Sequence, residues 1–370
     1  MIPVNTPSLG NKEKEYLIKC IETGWISSEG PYVEQFEKEM AAYSEREYGI
    51  AVCNGTAALE IAAKAIGICE GDEVIMPSFT IISPAQAISK LGAKPILVDS
   101  DFDTWNMDVS KIEEKINSKT KAILVVHIYG LPVDMDPILQ LCRKYSLKLI
   151  EDAAEMHGQT YRGKMCGSFG DVSIFSFYPN KHITTGEGGM IVTNDKNLSD
   201  KCKSYRNLCF RPNERFVHDE IGWNYRMTNL QAALGVAQLE QIDQFLIRKR
   251  EIGALYRKLL SGLDDKIILP LESTDYAENI YWVFGIILKD STNMNAKEII
   301  TKLQDRGVGC RPFFYPMHKQ PVYNKMGWYL NESYPVAEKM SQNGFYIPSG
   351  LGISDGEIHE VVKILKGILE

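Results

Sequence analysis

Between Ser173 and Met190 the chain reads SIFSFYPNKHITTGEGGM: an aromatic and apolar strand, one lysine at Lys181, and a turn carrying Gly186, Gly188 and Gly189. A lysine held beside buried aromatic side chains loses hydration, so its pKa falls and the free amine becomes available. That is the state in which a lysine attacks a carbonyl carbon to form a Schiff base. The glycines open backbone conformations closed to other residues and let a ligand approach the main chain. A lone lysine in such a loop can equally be a solvated side chain, so its partners must decide.

Four further groups have suitable chemistry. Asn54-Gly55-Thr56 lies between the strand YGIAVC and the helix AALEIAAKAI. The unpaired N–H groups and positive dipole end of a helix start form a cup for a phosphate, or simply take an ordinary N-cap. Asp152 ends the apolar run LKLIED, where a carboxylate is poorly hydrated and calls for a positive partner such as a protonated pyridine nitrogen; capping a helix is the other role open to it. Ser176 stands on the apolar strand before Lys181 and could donate to a phosphate oxygen. The segment GWNYRMTNLQAALG places Asn224 and Arg226 ahead of a long helical stretch, where packing and capping are alternatives.

The elements that position these residues follow from hydrophobic patterning. From Tyr48 onward, apolar runs (YGIAVCN, DEVIMPSFT, AKPILVDSD, KAILVVHIYG, LKLIEDAA) alternate with amphipathic stretches such as SPAQAISKLG and MDPILQLCRKYS. Continuous apolar strands between helices predict an α/β fold with a largely parallel sheet covered on both faces, and ligands then sit at the strand C-terminal ends. A helical stretch from about Met227 to Leu263 predicts a long helix connecting domains. After it, IYWVFGIIL, NAKEIITKLQDRG, RPFFYPMH and a final amphipathic helix read as a smaller α+β domain. With 370 residues, 44% of them hydrophobic, the chain can bury a large core.

Composition excludes other classes. A net charge of -7 with no basic run gives no electrostatic reason to expect nucleic acid. The start MIPVNTPSLGNKEKEYL lacks the basic flank and apolar core of a signal peptide, and no apolar stretch is long enough to span a bilayer; the expected location is the cytoplasm. Eight scattered cysteines form no C-x-x-C pair, and the six histidines lack H-x-x-x-H spacing, so reduced thiols and no metal site are expected.

Across nearly its whole length the chain resembles the DegT/DnrJ/EryC1/StrS group of sugar aminotransferases that use pyridoxal 5'-phosphate (PLP). GWISSEGPYVEQFE, NGTAALEIA, GDEVIMPSFT, VHIYGLPVDMDPI, IEDAAEMHGQTYRGKMCGSFGD, FSFYPNKHITTGEGGM, WNYRMTNLQAALG and RPFFYPMHKQPVY follow its pattern in order. The resemblance implies a fold-type-I aminotransferase: a large PLP-binding domain over residues 1–245, with a mixed, mostly parallel seven-stranded sheet, and a smaller α+β domain over 246–370. Residues 1–25 would pack on the small domain. Lys181 would carry the cofactor and then shuttle a proton, Asp152 would keep the pyridine nitrogen protonated, and Gly55, Thr56 and Ser176 would bind the phosphate. Glu155 falls near the cofactor's 3-hydroxyl.

By the same resemblance, Asn224 would reach the phosphate of a neighbouring subunit, making the protein a homodimer or larger with its site at the interface. Trp25 and Ser27 of WISSEGP, with Arg311, Tyr315 and His318 of RPFFYPMH, would line the sugar pocket, although Arg311 and the aromatics could instead pack the small domain. The implied reaction moves an amino group from L-glutamate to a 4-keto-6-deoxy nucleotide sugar, foremost GDP-4-keto-6-deoxymannose, in surface-glycan synthesis. Alternatives are a dTDP- or UDP-linked keto sugar, a C3 ketone, a small phosphorylated ketone, or a PLP-binding regulatory protein without catalysis. The family's sister 3-dehydratases have histidine in place of the lysine; here Lys181 holds that position and His182 follows it. One departure stands out: where the family usually stacks an aromatic residue on the ring, this chain has Ile81, with Phe79 as a possible substitute.

Overall fold

A computed structural model describes residues 1–211 and 213–369. The apolar runs become strands β1 (Tyr48–Val52), β2 (Glu73–Pro77), β3 (Lys94–Val98), β4 (Thr120–Val126) and β5 (Lys148–Asp152). A short hairpin, β6 (Thr160–Tyr161) and β7 (Lys164–Met165), precedes β8 (Val172–Ser176) and β9 (Gly189–Thr193). Seven of these form one sheet in the order β1-β9-β8-β5-β4-β2-β3. Pairing is parallel from β8 through β5, β4 and β2 to β3, while β9 runs antiparallel to both β8 and β1. The C-terminal ends of β1, β8, β5 and β4 therefore open on the same side, which is where a ligand crevice forms in such sheets.

The two faces of the sheet carry separate apolar clusters, one including Ile50, Leu124 and Ile174 and the other Ala51, Val125 and Phe175. Alternate residues of a strand point to opposite faces, so a continuous apolar run supplies both. The helix Gly55–Ala65 is buried along most of its length, because its many alanines let its axis lie close to the strands.

The expected single helix from about Met227 to Leu263 is two, Asn229–Leu239 and Ile242–Leu260. The break at Glu240–Gln241 is held by the first helix, Asn11–Thr23: buried Glu13 accepts from Gln238 (2.5 Å) and Gln241 (2.9 Å), and Lys12 pairs with Glu240 at 2.7 Å. Thr228 and Gln231 close a reciprocal capping box at the start of Asn229–Leu239.

Beyond a two-stranded ribbon, β10 (Phe210–Arg211) with β11 (Glu214–His218), a second sheet contains β12 (Ile267–Ile268), β13 (Phe284–Leu288), β14 (Arg311–Pro312) and β15 (Gly344–Ile347). Its order is β12-β13-β15-β14, antiparallel throughout. Ile286 and Phe345 pack there with Ile252, Ile299 and Leu365 in a third apolar cluster. The chain start joins this unit: Ile2 exchanges backbone hydrogen bonds with Gly307 and Gly309, and Ser349 N–H donates to Val4. The helix Asn11–Thr23 instead packs against Asn229–Leu239.

Candidate active site

A cavity of about 600 Å³ lies at the C-terminal ends of β4, β5 and β8, and Gly55, Thr56, Asp152, Glu155, Ser176 and Lys181 all line it. Each owes its place to an element end. Asn54 starts the helix Gly55–Ala65 by accepting from the Ala57 N–H at 2.8 Å, which puts Gly55 and Thr56 in its first turn. A side chain at Gly55 would meet Ser176 Cβ at 2.8 Å, and one at Gly189 would meet the Asn54 carbonyl at 2.5 Å. Glycine is required at both positions to bring the helix start, β8 and β9 together. In the GEGG turn Gly186 has φ +78°, a conformation that L side chains rarely adopt.

Asp152 is the last residue of β5 and is buried; its Oδ1 accepts from the Ala154 N–H at 3.0 Å. Burial pushes its carboxyl up to about 6, against the pull of the Ala154 amide and the positive charge of Lys181. Lys181 Nζ stands 3.7 Å from Glu155 Oε1, longer than a hydrogen bond, and 3.8 Å from the centre of the Trp282 ring. Burial lowers the pKa of Lys181 in spite of Glu155 and Asp152, and raises Glu155 to about 7. Both shifts favour an uncharged amine. Glu155 is oriented by the Tyr129 N–H, which donates to its Oε2 at 2.8 Å.

These residues suit PLP on three counts. A helix N-terminus of two small residues beside a serine hydroxyl fits a phosphate. A buried carboxylate with a raised pKa gains most from a cation placed against it, as a protonated ring nitrogen would be. Asn180 Oδ1, on the cavity wall, is buried without a hydrogen-bond partner, so a polar group remains to be satisfied there.

Ile81, half-exposed, lines the cavity, as does Ala154 two residues after Asp152. Phe79 cannot substitute for the missing aromatic: it is fully buried outside the cavity, packed against Tyr129, Phe313 and Phe314.

Arg311 lines an adjoining cavity of about 250 Å³ together with Asn5, Asn180, Trp282 and Tyr346. His318 requires a correction, because it is buried with Nδ1 against Ser78 Oγ (3.0 Å) and Nε2 against Glu338 (2.9 Å), and lines neither cavity. Tyr315 is 54% exposed and also lies outside both.

Trp25, Ser27 and Asn224 are not brought to the cavity of their own chain. The Trp25–Ser27 loop is tied to the start of Asn229–Leu239, with Asn229 Nδ2 donating to the Trp25 carbonyl at 2.7 Å and the Asn229 N–H to Ser27 at 2.6 Å. Asn224 is exposed, on an extended segment that bridges to Asn207. Tyr178, Trp282, Phe314 and Tyr346, which wall the cavity, were not anticipated from sequence. Their apolar segments read equally well as core.

Another buried group, His127, Glu151 and Cys166, gathers on the far side of β5. Glu151 accepts there from the amides of Gly167, Phe169 and Gly170 and from Ser173 Oγ. It ties the 166–173 loop beneath the sheet.

Among known proteins, the GDP-perosamine synthase of Escherichia coli O157:H7 is 46% identical over 96% of this chain and 95% of its own length. That of Vibrio cholerae is 40% identical, covering 99% of this chain and 98% of its own. The crystal structure of the aminotransferase TlmJ from Streptoalloteichus hindustanus superposes with a TM-score of 0.92 at 28% identity, covering 100% of this chain and 99% of that one. The family pattern matches residues 7–366, and with a cavity suited to PLP at the strand ends the chain belongs to the DegT/DnrJ/EryC1/StrS aminotransferase family, enzymes of PLP-dependent transamination.

Proposed function

We propose that this aminotransferase moves the amino group of L-glutamate to C4 of GDP-4-keto-6-deoxymannose, in the cytoplasm, as a homodimer. The observation that carries the catalytic part is the convergence of a buried Lys181 of lowered pKa with Asp152 and the Gly55–Thr56 helix start in one cavity. The choice of sugar is supported by the two GDP-perosamine synthases, whose similarity runs the full length of the chain.

Bound PLP supplies a carbonyl-level carbon that condenses with amines and a ring that accepts the electrons released when a neighbouring C–H bond breaks. Gly55, Thr56 and Ser176 would hold its phosphate, and Asp152 would keep a proton on its ring nitrogen. Ile81 and Ala154, which line the cavity, would pack on the ring, and Glu155 would take its hydroxyl group. Lys181 Nζ, whose pKa burial lowers, would take the proton from the α-carbon of glutamate in the first half-reaction and pass it to the cofactor carbon that receives the amino group. In the second it would take a proton back from that same carbon and deliver it to C4 of the sugar. The aromatic wall of Trp282, Phe314 and Tyr346 keeps water from the reacting atoms, and Arg311 next door suits a carboxylate or diphosphate.

Purified protein should be given L-glutamate with GDP-, dTDP- and UDP-linked 4-keto-6-deoxy sugars, and the products weighed by mass spectrometry. The GDP sugar is expected to yield the amino sugar in the greatest amount, with none from Lys181→Ala. Preferential amination of a dTDP or UDP sugar would overturn the substrate assignment.

A further inference from the structure

Trp282 stands between the two cavities, and the arrangement around it is unusually complete. Its side chain lines both the Lys181 cavity and the adjoining one that contains Arg311. Lys181 Nζ sits 3.8 Å from the ring centre, well inside the roughly 6 Å over which a cation is attracted by an aromatic face. The ring cannot turn away. Its indole N–H donates to the Asn180 carbonyl at 2.7 Å, immediately before Lys181 in the chain, and one side packs on Tyr129. Its backbone carbonyl accepts from Lys249 Nζ at 2.9 Å, and the same amine donates to the Ser349 carbonyl at 2.5 Å. Lys249 lies on the helix Ile242–Leu260 and is itself buried. Burial pushes its pKa down to about 7, and the two N–H bonds of a neutral amine match the two carbonyls.

We infer that Trp282 is a positioning residue for Lys181, its indole face holding the protonated amine over the cavity within each half-reaction, between taking a proton from one carbon and delivering it to the other. Other groups facing Lys181 act differently. Glu155 and Asp152 favour the ammonium but can take its proton, being carboxylates of raised pKa. The imidazoles of His157 and His182 are kept neutral by burial and oppose a positive charge at Lys181 only if they gain one. An indole face attracts a cation at every pH and has no site of comparable basicity to receive the proton. It therefore retains the proton on Nζ until the receiving carbon takes it. This inference rests on Lys181 being the reactive amine, and its test reads that amine in the protein before any substrate binds.

The test replaces Trp282 alone with tetrafluorotryptophan, which keeps the shape and the indole N–H while withdrawing electron density from the face. The pKa of Lys181 is then read in the PLP-free protein by competitive acetylation along a pH series, with mass spectrometry of the peptide that carries it. Its value should fall by about half a unit or more relative to the unmodified protein. The same replacement at Trp223, whose ring faces Lys64 at 5.2 Å, should leave Lys181 unchanged. An unmoved or raised pKa with fluorinated Trp282, or an equal shift from Trp223, overturns the inference. Neither result depends on which sugar is aminated, so it stands or falls apart from the substrate assignment.

Discussion

Asp152 is a charge the free protein holds at a cost. Its folded pKa of about 6 lies above the ordinary aspartate value of about 3.9, so the native state binds more protons than the unfolded chain between those values. Its favourable contribution is complete below the lower value and is lost as pH rises through the upper one. At neutral pH the PLP-free Asp152→Asn variant should be more stable than the natural protein, by on the order of 2 kcal/mol, with the difference closing near pH ~4. Its turnover should fall about a hundredfold or more, because an amide cannot hold a ring nitrogen in its protonated form. Urea titrations at two pH values and steady-state kinetics check both halves, and a variant less stable at neutral pH would contradict the first. Gly55, Thr56, Asp152 and Ser176 were legible because each ends or begins an element whose pattern is plain, Lys181 because it stands between an aromatic strand and a glycine-rich turn, and Glu155 only through the family resemblance. Trp282 and Tyr346 were not, since an aromatic residue in an apolar run is silent about whether it faces a core or a cavity. His318 shows the converse: its segment does approach the large sheet, where the Met317 N–H donates to Ser78, but the ring turns toward Ser78 and Glu338.

At the scale of elements, the site depends on the closeness of a helix start to a strand end. The Gly55 contact with Ser176 leaves no room for a methyl group, and both sides are regular structure that cannot give way cheaply. Gly55→Ala should destabilise the fold by roughly 1–3 kcal/mol and loosen PLP retention. Adding Ser176→Gly removes the opposing Cβ and should restore much of the stability while leaving PLP weakly held, because the hydroxyl is gone. Chemical denaturation and dialysis against buffer separate the two effects; equal recovery of both would mean that Ser176 has no part in binding. The parallel sheet was readable from continuous apolar runs alternating with helices. The reversal of β9 was not, because GMIVT is equally apolar in either direction, and the connection over 177–188 returns it antiparallel to β8 without a crossover helix. The broken helix at Glu240–Gln241 escaped notice for a related reason: its apolar spacing carries on across a break fixed by Glu13, more than 200 residues away in sequence.

For the whole molecule, the residues that the cavity lacks are conspicuous on the outside of the chain. Asn224 is exposed and does not line its own cavity, although its neighbour Tyr225 does, and Trp25, Ile26 and Ile221 are at least half-exposed apolar side chains. A cyclic dimer would bury such groups and carry Asn224 of each subunit to the other's cavity, as the proposed homodimer requires. If so, defects at Lys181 and Asn224 fall in different subunits' contributions to one site. A dimer of one Lys181→Ala chain and one Asn224→Ala chain then has one site bearing both defects and one bearing neither. Unfolding and refolding the two variants together should restore activity that neither recovers alone, in proportion to the mixed dimers formed. Were Asn224 to serve its own chain, every site in the mixture would keep one defect, and mixing would restore nothing. The position of the dimer in gel filtration gives the denominator for that comparison, and the outcome decides whether the active site belongs to one chain or to two.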